Sequence, residues 1–251
     1  MDNIGKNFIE YTKLKNLKKS DEDKGLAEPP IEKELSQEEN IIELPDPELG
    51  MNHNFHLQTV IGNRKSIRNF SAEPLSKVEL SYLLWNTQGI KRKSSNNSVT
   101  KRTVPSAGAR HPLETYLYVQ NVEDLQQGIY RYIAGQHNLS FWKPIKQGTK
   151  VEDLEKACYQ QKFVGECAVT FIWTAVVERT TWRYGERGYR YLFLDAGHVC
   201  QNLYLSVENI NSGACAIGAY DDEMVHEILD IDGEKEFAIY LASVGKKISR
   251  S

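Results

Sequence analysis

The chain has 251 residues, of which 40% are hydrophobic and 26% are charged, and its formal net charge at pH 7 is −3. This composition is typical of one globular domain with an extension. It excludes nucleic-acid binding, which needs more clustered positive charge, and membrane insertion, because no apolar run is long enough to cross a bilayer. The first residues show no targeting signal, so we expect a cytoplasmic protein without nucleic-acid or membrane partners.

Residues 1–55 differ in composition from the rest and are predicted to form an N-terminal arm. A short amphipathic helix is indicated by apolar residues at helical spacing, namely Ile4, Phe8, Tyr11 and Leu14. The stretch that follows is rich in charge and proline, and the apolar residues of 41–44 offer anchors. We expect the arm to wrap a domain that spans residues 56–251, with a disordered lead as the alternative.

Capping signals and hydrophobic periodicity predict the first elements of this domain. Ser76 and Glu79 form a capping box for a helix over 77–88. A polar, mobile loop over 91–100 is expected to follow. Predicted strands, the last two as a hairpin, lie at 115–120, 128–133 and 138–142.

The second half is dominated by a long helix over 189–209, whose apolar stripe keeps the helical period and which Gly213 is expected to end. An apolar, β-branched run at 168–177 is typical of a central strand. The remaining predictions are a helix at 151–159, a short helix capped by Asp221, and a last strand at 237–244. Helices and strands are interspersed with a hairpin, which predicts an α+β sandwich.

Several site classes find no support in the motifs. The glycine-rich loops that bind dinucleotides or triphosphates are absent, as is the hydrolase elbow. No metal site is expected, because the histidines are scattered, and His53 and His56 lie in a predicted loop. The four cysteines are interpreted as structural thiols of a reducing compartment, with a disulfide or a reactive thiol as the alternative: Cys158, Cys167, Cys200 and Cys215.

The most informative segment is 64–68, Arg-Lys-Ser-Ile-Arg, which places three cations and a hydroxyl within five residues. Such charges repel one another unless an anion lies between them. A second basic pair, 246–247, follows the last predicted strand, so we expect a small phosphorylated ligand. The alternative is a solvated helix start in which Arg68 pairs with Glu73.

Two segments of small residues would let the main chain approach a flat ligand closely. The first is 105–109, Pro-Ser-Ala-Gly-Ala, where Pro105 and Gly108 indicate an irregular backbone. Its alternative is an ordinary turn before a strand. The second is 214–220, for which tight packing of a strand under a helix is the alternative.

In this order the motifs resemble the FMN-dependent nitroreductase family. They are the Arg-x-Ser-x-Arg of 64–68, the Pro-Ser-Ala-Gly-Ala of 105–109, the Ile-Gly of 217–218 and the Gly-Lys-Lys of 245–247. The likeness is closer to the SagB/ThcOx-type branch, which includes azoline dehydrogenases of ribosomal-peptide pathways, and it extends over nearly the whole chain.

The resemblance implies a central, mostly antiparallel sheet flanked by helices, FMN as the cofactor, and a homodimer with FMN sites at the subunit interface. By match, Arg64 and Ser66 hold the phosphate and ribityl end, and Arg68 approaches the pyrimidine edge. Segment 105–108 reaches the flavin of the other subunit. The implied FMN-binding residues are Arg64, Lys65, Ser66, Arg68, Pro105, Ser106, Ala107, Gly108, Ala216, Ile217, Gly218, Lys246 and Lys247.

One departure from the branch bears on catalysis. Azoline-oxidising relatives carry a Lys-Tyr pair ahead of the long helix, where this chain has Arg183 and Tyr184. Arginine stays protonated and is a poor general base, so Tyr184 is left to shuttle a proton or to hydrogen-bond a substrate. These two residues are the catalytic candidates, and an ion pair of Arg183 with Glu186 or Glu178 is the alternative.

The implied function is that of an FMN-dependent oxidoreductase, with hydride transfer through flavin N5 between NAD(P)H and a small electrophilic or unsaturated substrate. One alternative is a peptide thiazoline or oxazoline dehydrogenase acting with a cyclodehydratase partner. Another is a non-catalytic flavin-binding protein. The arginine at 183 favours the first over the second. Asp195 and His198, three residues apart on the long helix, are interpreted as a structural polar pair.

Overall fold

The structure is a computed structural model that describes residues 3–35, 39–50, 56–94, 99–144 and 152–248. The helices in these ranges are α1 Ile4–Tyr11, α2 Leu57–Asn63, α3 Lys77–Gln88, α4 Glu152–Ala157, α5 Phe163–Glu166, α6 Glu178–Tyr184, α7 Gly188–Asn209 and α8 Asp222–Leu229. The strands are β1 Asn40–Glu43, β2 Ile90–Lys93, β3 Thr100–Arg102, β4 Leu113–Val119, β5 Gly128–Ile133, β6 Asn138–Pro144, β7 Val169–Val176, β8 Ser212–Ile217 and β9 Glu236–Lys246. A search of the described helices finds none with the length and apolar character needed to cross a membrane.

Within the described ranges, seven strands form one sheet in the order β1-β6-β5-β4-β7-β9-β8. Every pairing between neighbours in this sheet is antiparallel. Helices cover both faces, because one buried cluster joins the sheet to α3 and α7 and another joins it to α4, α5 and α8. The predicted α+β sandwich with a mostly antiparallel sheet and flanking helices is confirmed.

Strand β4 shows why both faces of the sheet are covered. It is buried along its whole length, and successive side chains of a strand point to opposite faces. Leu117 and Val119 therefore pack on the α7 side, while Tyr116 and Tyr118 pack on the α4 side. The alternation of tyrosine with aliphatic residues in the sequence is the direct cause of the two-sided core.

Helices α3 and α7 form where the sequence predicts them. In α3, the Ser76 hydroxyl accepts from the Glu79 amide and the Glu79 carboxylate accepts from the Ser76 amide, which completes the capping box. In α7, Leu192, Val199 and Leu203 of the apolar stripe are buried against the sheet. Burial of side chains of this size stabilises the fold by about 1.5–3 kcal/mol each.

The described part of the arm lies along the domain and adds an edge strand to the sheet. Strand β1 pairs with β6, and the predicted anchors Ile42 and Leu44 pack against the core. The predicted N-terminal helix forms as α1, but Ile4 and Tyr11 in it are 79% and 68% exposed. The arm therefore contacts the domain as expected, while its division from the domain at residue 55 stays a prediction.

Carboxylates of the arm pair with buried arginines of the domain. Glu28 contacts Arg110, whose side chain is almost fully buried. Glu39 lies 3.2 Å from the guanidinium of the buried Arg131. Buried arginines need charged partners because a lone buried charge is costly, so these contacts attach the arm firmly.

Two predictions about local structure are wrong. The loop predicted over 91–100 is wrong at both ends, because Ile90–Lys93 and Thr100–Arg102 pair as the antiparallel strands β2 and β3; residues 95–98 lie outside the described ranges. Gly213 does not end the long helix, which ends at Asn209, but lies within β8. The β2 strand was missed because its charged side chains are exposed and give no alternation of apolar and polar residues.

The cysteines match their interpretation as structural thiols, since all are buried with free thiols. Burial raises the pKa of Cys158 and of Cys200 to about 12, which keeps both thiols protonated and unreactive. Two predictions concern undescribed positions: His53 lies outside the described residues, and so does Val151, the first residue of the helix predicted at 151–159.

Candidate functional site

The basic segment 64–68 lies extended beside the edge strand β8. Ser66 bridges to Ala214, and the Ile67 amide donates to the Ala214 carbonyl at 2.9 Å. Further along, the Ser71 amide donates to the Lys246 carbonyl at 3.0 Å. The alternative of a helix start at this segment is therefore wrong.

Two glycines that face each other in the sheet make room for this segment. Gly213 of β8 and Gly245 of β9 are paired in register. A Cβ on Gly213 would lie 2.6 Å from the Cβ of Ile67, and one on Gly245 would lie 2.9 Å from the ring of Phe70. Both distances are shorter than van der Waals contact, so the segment packs here only because these positions lack side chains.

Tyr204 of α7 joins the basic segment to β8. Its hydroxyl accepts from the Ala216 amide at 2.8 Å and lies 2.9 Å from the Ser66 Oγ. The Arg64 guanidinium lies 5.3 Å from its ring centroid. Sequence analysis did not identify Tyr204 as a site residue. Its position next to Leu203, at the edge of the apolar stripe of α7, could have indicated it, because a tyrosine there can bury its ring and present its hydroxyl.

The cations of the segment have no carboxylate partner in the part of the chain that the structure describes. Lys65 and Arg68 are exposed and Arg64 is half-buried. Arg68 lies 5.9 Å from the ring centroid of Phe163, so its proposed pairing with Glu73 is wrong. Three uncompensated cations on one extended segment can receive an anion.

The end of β8 lies next to this group. Burial raises the pKa of the Cys215 thiol, and the nearby positive charge of Arg68 opposes that rise. Ala216 is half-buried, Ile217 is buried on the α4 side of the sheet, and Gly218 is exposed just beyond the strand. The residues up to Ile217 therefore form a packed strand, which was the alternative to a ligand-binding segment. Gly218 begins an exposed turn at the end of that strand.

The C-terminal lysines are engaged with carboxylates of the helices. Lys246 contacts Glu79 of α3, and Lys247 lies 2.7 Å from Glu208 of α7. Both are at the end of β9, next to β8. Each lysine charge already has a carboxylate partner.

Segment 105–108 is held by Asp195 of α7. The Ser106 hydroxyl donates to one carboxylate oxygen at 2.5 Å, and the Ala107 amide donates to the other at 3.4 Å. Gly108 and Ala109 have φ angles of 59° and 53°, in the left-handed region. The backbone is irregular, as the sequence indicated, and such strain is typical of functional sites.

Asp195 has a different partner from the one expected. Burial raises the pKa of its carboxyl, and the hydrogen bond from Ser106 opposes the rise. His198 is exposed and contributes only a charge interaction, so the buried structural pair that we predicted is wrong. Pro105 and Gly108 remain exposed above this anchored residue, where another molecule can reach them.

The two catalytic candidates, Arg183 and Tyr184, lie at the end of α6 beside this segment. A Cβ on Gly108 would collide with the Tyr184 hydroxyl. The Tyr184 ring packs edge-on against Tyr191 with centroids 4.8 Å apart. Arg183 donates to Glu22 of the arm from Nε at 2.9 Å and from a terminal nitrogen at 2.8 Å.

This pairing decides the protonation state of Arg183. The hydrogen bonds to Glu22 raise the pKa of the guanidinium, so it stays charged and cannot act as a general base. Arg183 does form an ion pair, as the alternative predicted, but the predicted partners Glu186 and Glu178 are wrong. The arm supplies the carboxylate instead.

The site residues therefore divide into two groups within one chain. Asp195 holds segment 105–108 and Tyr204 holds segment 64–68, and these residues are nine positions apart on α7. Nine residues correspond to about 2.5 turns and about 13.5 Å along a helix. The anchor residues of the two groups thus lie on opposite sides of α7.

Comparisons with known proteins identify the family. The model of the nitroreductase family matches residues 61–246. Protein MJ1384 of Methanocaldococcus jannaschii, named as a nitroreductase, is 36% identical over 207 residues, which cover 82% of this chain and 96% of that protein. A crystal structure from Anabaena variabilis, of a protein also named as a nitroreductase, has a TM-score of 0.75 and 26% identity and covers 99% of this chain.

A second kind of relative comes from Escherichia coli. The microcin B17-processing protein McbC is 24% identical over 145 residues, which cover 53% of this chain and 49% of McbC. A chain of the microcin synthetase McbBCD complex, solved with truncated pro-MccB17 bound, shares the fold with a TM-score of 0.62 at 22% identity, covering 78% of this chain and 74% of that one. This chain spans about half the length of McbC and 48% of the Anabaena protein.

Proteins of this family typically bind a flavin and are usually dimeric. The family model covers most of the chain, and the archaeal relative matches over nearly its full length. We conclude that the chain is an oxidoreductase and belongs to the nitroreductase family.

Proposed function

We propose that this protein is an FMN-dependent oxidoreductase that transfers hydride between NAD(P)H and a small electrophilic or unsaturated substrate. The observation that carries the proposal is the group of cations Arg64, Lys65 and Arg68, to which the described residues offer no carboxylate. The Ser66 hydroxyl lies between them. Arginine recognises phosphate through paired hydrogen bonds, and these cations would hold the phosphate of FMN.

The donor set fits FMN. Arg64, Lys65 and Ser66 would hold the phosphate and ribityl end. Lys246 and Lys247 would add positive charge, although each already pairs with a glutamate. We therefore assign both lysines a supporting role, in which their charges attract the phosphate at long range without a direct hydrogen bond.

Bound FMN would supply a centre at N5 that accepts and donates hydride. Arg68 would stabilise the negative charge that reduction places on the pyrimidine edge, because a fixed cation needs no reorganisation. The turn from Ala216 through Ile217 to Gly218 would present main-chain groups to the ring. The exposed Gly218 has no side chain to keep a flat ligand away.

Tyr184 and Arg183 would act on the second substrate and not on the cofactor. The Tyr184 hydroxyl, beside Gly108, would donate a hydrogen bond that orients the substrate. Arg183 stays protonated and would contribute only charge. The protein would thus work mainly by positioning two reactants.

The complete site would need a second copy of the chain. Segments 64–68 and 105–108 flank α7 on opposite sides, which supports a homodimer in which 105–108 reaches the flavin of the partner subunit. Phe193 and Leu194, next to Asp195 on α7, are 56% and 57% exposed. A dimer would remove these side chains from water and would carry two equivalent sites.

A second candidate is a peptide thiazoline or oxazoline dehydrogenase that acts with a cyclodehydratase partner. The relationship to McbC, a microcin B17-processing protein, favours it. The fold is shared with a chain of a complex solved with truncated pro-MccB17 bound. Arg183 counts against it, because an arginine paired with Glu22 cannot remove a proton from a substrate.

The first experiment tests the cations. The purified protein should be yellow, and NADH or NADPH should bleach it in anaerobic stopped flow. Arg68→Ala should lower the affinity for FMN on the order of tenfold and should make the flavin harder to reduce. Arg92→Ala removes an exposed arginine of β2 and serves as the matched control, with affinity and potential unchanged.

The outcomes separate the candidates. Unchanged FMN affinity and potential in Arg68→Ala would remove Arg68 from the site, and a colourless protein that ignores added FMN would contradict the whole proposal. A bound flavin that resists both nicotinamides but takes two hydrogens from a thiazoline peptide would favour the second candidate. A flavin that reacts with neither would indicate a non-catalytic flavin-binding protein.

A further inference from the structure

The pairing of Arg183 with Glu22 joins the catalytic candidates to the arm. Two hydrogen bonds of 2.9 Å and 2.8 Å run in parallel from the guanidinium to the two carboxylate oxygens. This bidentate geometry is the arrangement in which arginine binds a carboxylate most strongly. The side chains are 39% and 36% exposed, so a dissolved anion can compete for the same positions.

Glu22 is presented by a compact turn. The Ser20 amide donates to the Asp23 carboxylate at 3.0 Å, and the Asp23 amide donates to the Ser20 hydroxyl at 3.1 Å. Gly25 closes the turn with a φ of +73°, and its amide donates to the Glu22 carbonyl at 3.0 Å. The backbone that carries Glu22 is therefore held in position by its own local structure.

The same turn is tied to the helix that carries Arg183. The Glu22 amide donates to the Trp182 carbonyl at 2.9 Å. The Trp182 indole donates to the Leu26 carbonyl at 3.0 Å. Backbone contacts thus hold the turn even without the ion pair, and a change at Glu22 alone leaves them in place.

The guanidinium also lies at the candidate active site. A Cβ on Gly108 would lie 3.2 Å from the Arg183 Cδ and would collide with the Tyr184 hydroxyl. Gly108 belongs to segment 105–108, which Asp195 anchors. An anionic group of a substrate bound beside Tyr184 would therefore come within reach of Arg183.

We propose that Glu22 is a specificity determinant that occupies the carboxylate-binding positions of Arg183, so that neutral substrates are preferred over substrates carrying a carboxylate. The inference rests on the proposed function, because it assigns Tyr184 and Arg183 to the second-substrate site. An arginine fork holds one carboxylate at a time, and Glu22 is always present at high effective concentration. An anionic substrate must displace it, whereas a neutral one need not.

The test isolates the second half-reaction. Protein with bound FMN is photoreduced, and its reoxidation is followed with 4-nitrobenzoate and with 4-nitrobenzyl alcohol. Glu22→Gln should raise the ratio of the two second-order rate constants in favour of the carboxylate, on the order of tenfold. Calorimetry with oxidised protein should show a matching gain in affinity for benzoate and none for benzyl alcohol.

Two variants serve as controls. Asp21→Asn makes the same charge change in the same turn, where Asp21 pairs with the exposed Lys24, and should leave the ratio unchanged. Glu22→Gln combined with Arg183→Gln should return the ratio to the original value, because the freed guanidinium is gone.

The results for these variants and for the unmodified protein distinguish failure of the inference from failure of the proposed function. An unchanged ratio and unchanged benzoate affinity in Glu22→Gln, with FMN bound and the neutral substrate turned over, would overturn the inference and leave the proposed function intact. An equal rise in Asp21→Asn would also overturn it, since net charge alone would then explain the effect. Failure of the unmodified protein to bind FMN, or to reoxidise with either substrate, would instead contradict the proposed function.

Discussion

At the scale of single residues, Tyr204 is the side chain whose role the tertiary structure reveals most clearly. Its hydroxyl accepts from the Ala216 amide and lies against the Ser66 Oγ. Tyr204→Phe removes both hydrogen bonds but keeps the ring, and should lower the free energy of unfolding by about 1–2 kcal/mol in urea. FMN affinity should fall as well, because Ser66 loses the group that orients it.

A matched control comes from Tyr220, whose hydroxyl donates to the Ala238 carbonyl at 3.1 Å on the other side of the sheet. Tyr220→Phe should lower stability by a similar amount without changing FMN affinity. Equal losses of FMN affinity in both variants would show that Tyr204 acts only through general stability.

His111 makes stability depend on pH. Burial, together with the nearby charge of Arg102, lowers the pKa of His111 from its ordinary 6.5 to about 3. The folded state therefore keeps this histidine neutral while the unfolded state binds a proton below pH 6.5. Stability is fully present above pH 6.5 and falls as the pH drops, by up to about 1.4 kcal/mol per pH unit.

Urea unfolding at pH 7.5, 6.5 and 5.5 measures this dependence. His111→Gln should flatten the curve over this window, in which ordinary carboxylates do not yet titrate. Some slope should remain, because burial also lowers the pKa of His137. An equally steep fall in the variant would contradict the role of His111.

At the scale of secondary-structure elements, the contact between segment 64–68 and strand β8 depends on glycine. Gly213→Ala would place a Cβ 2.6 Å from that of Ile67, and overpacking of this kind costs about 1–3 kcal/mol. The segment carries the cations, so FMN affinity should fall with stability. Thermal unfolding and FMN titration measure the two effects.

Gly5 in α1 provides the opposite case. A Cβ there would meet no atom within 4 Å, and alanine is favoured over glycine in a helix by about 1 kcal/mol. Gly5→Ala should therefore not destabilise the protein and should leave FMN affinity unchanged. A loss of FMN affinity in both variants would contradict the assigned role of the β8 contact.

At the scale of the whole molecule, the two groups of site residues predict that two chains are needed. Light scattering should give the mass of a dimer. Leu194→Glu places a charge on the exposed flank of α7 and should yield monomers that lose FMN, because an unpaired charge is not tolerated in a buried interface.

The control for this prediction is Tyr159→Glu. Tyr159 is also exposed, but it follows α4 on the opposite face of the sheet. This variant should remain dimeric and yellow. A dimer that survives Leu194→Glu with FMN bound would place the interface elsewhere.

The sequence by itself determined the elements whose causes are local. The capping box of α3, the apolar stripe of α7 and the alternation in β4 depend on residues a few positions apart, so spacing alone predicts them. The basic segment 64–68 was likewise visible, because three cations within five residues need no folding to be recognised.

Only the tertiary structure decided which side chains meet. Ser106 and Asp195 are separated by 89 positions, Ser66 and Tyr204 by 138, and Glu22 and Arg183 by 161. Hydrogen-bond partners at such separations follow from strand order and helix packing, which local periodicity does not encode. Polar strands such as β2 escaped prediction for the same reason, because pairing with β3 and not a pattern of its own makes β2 a strand.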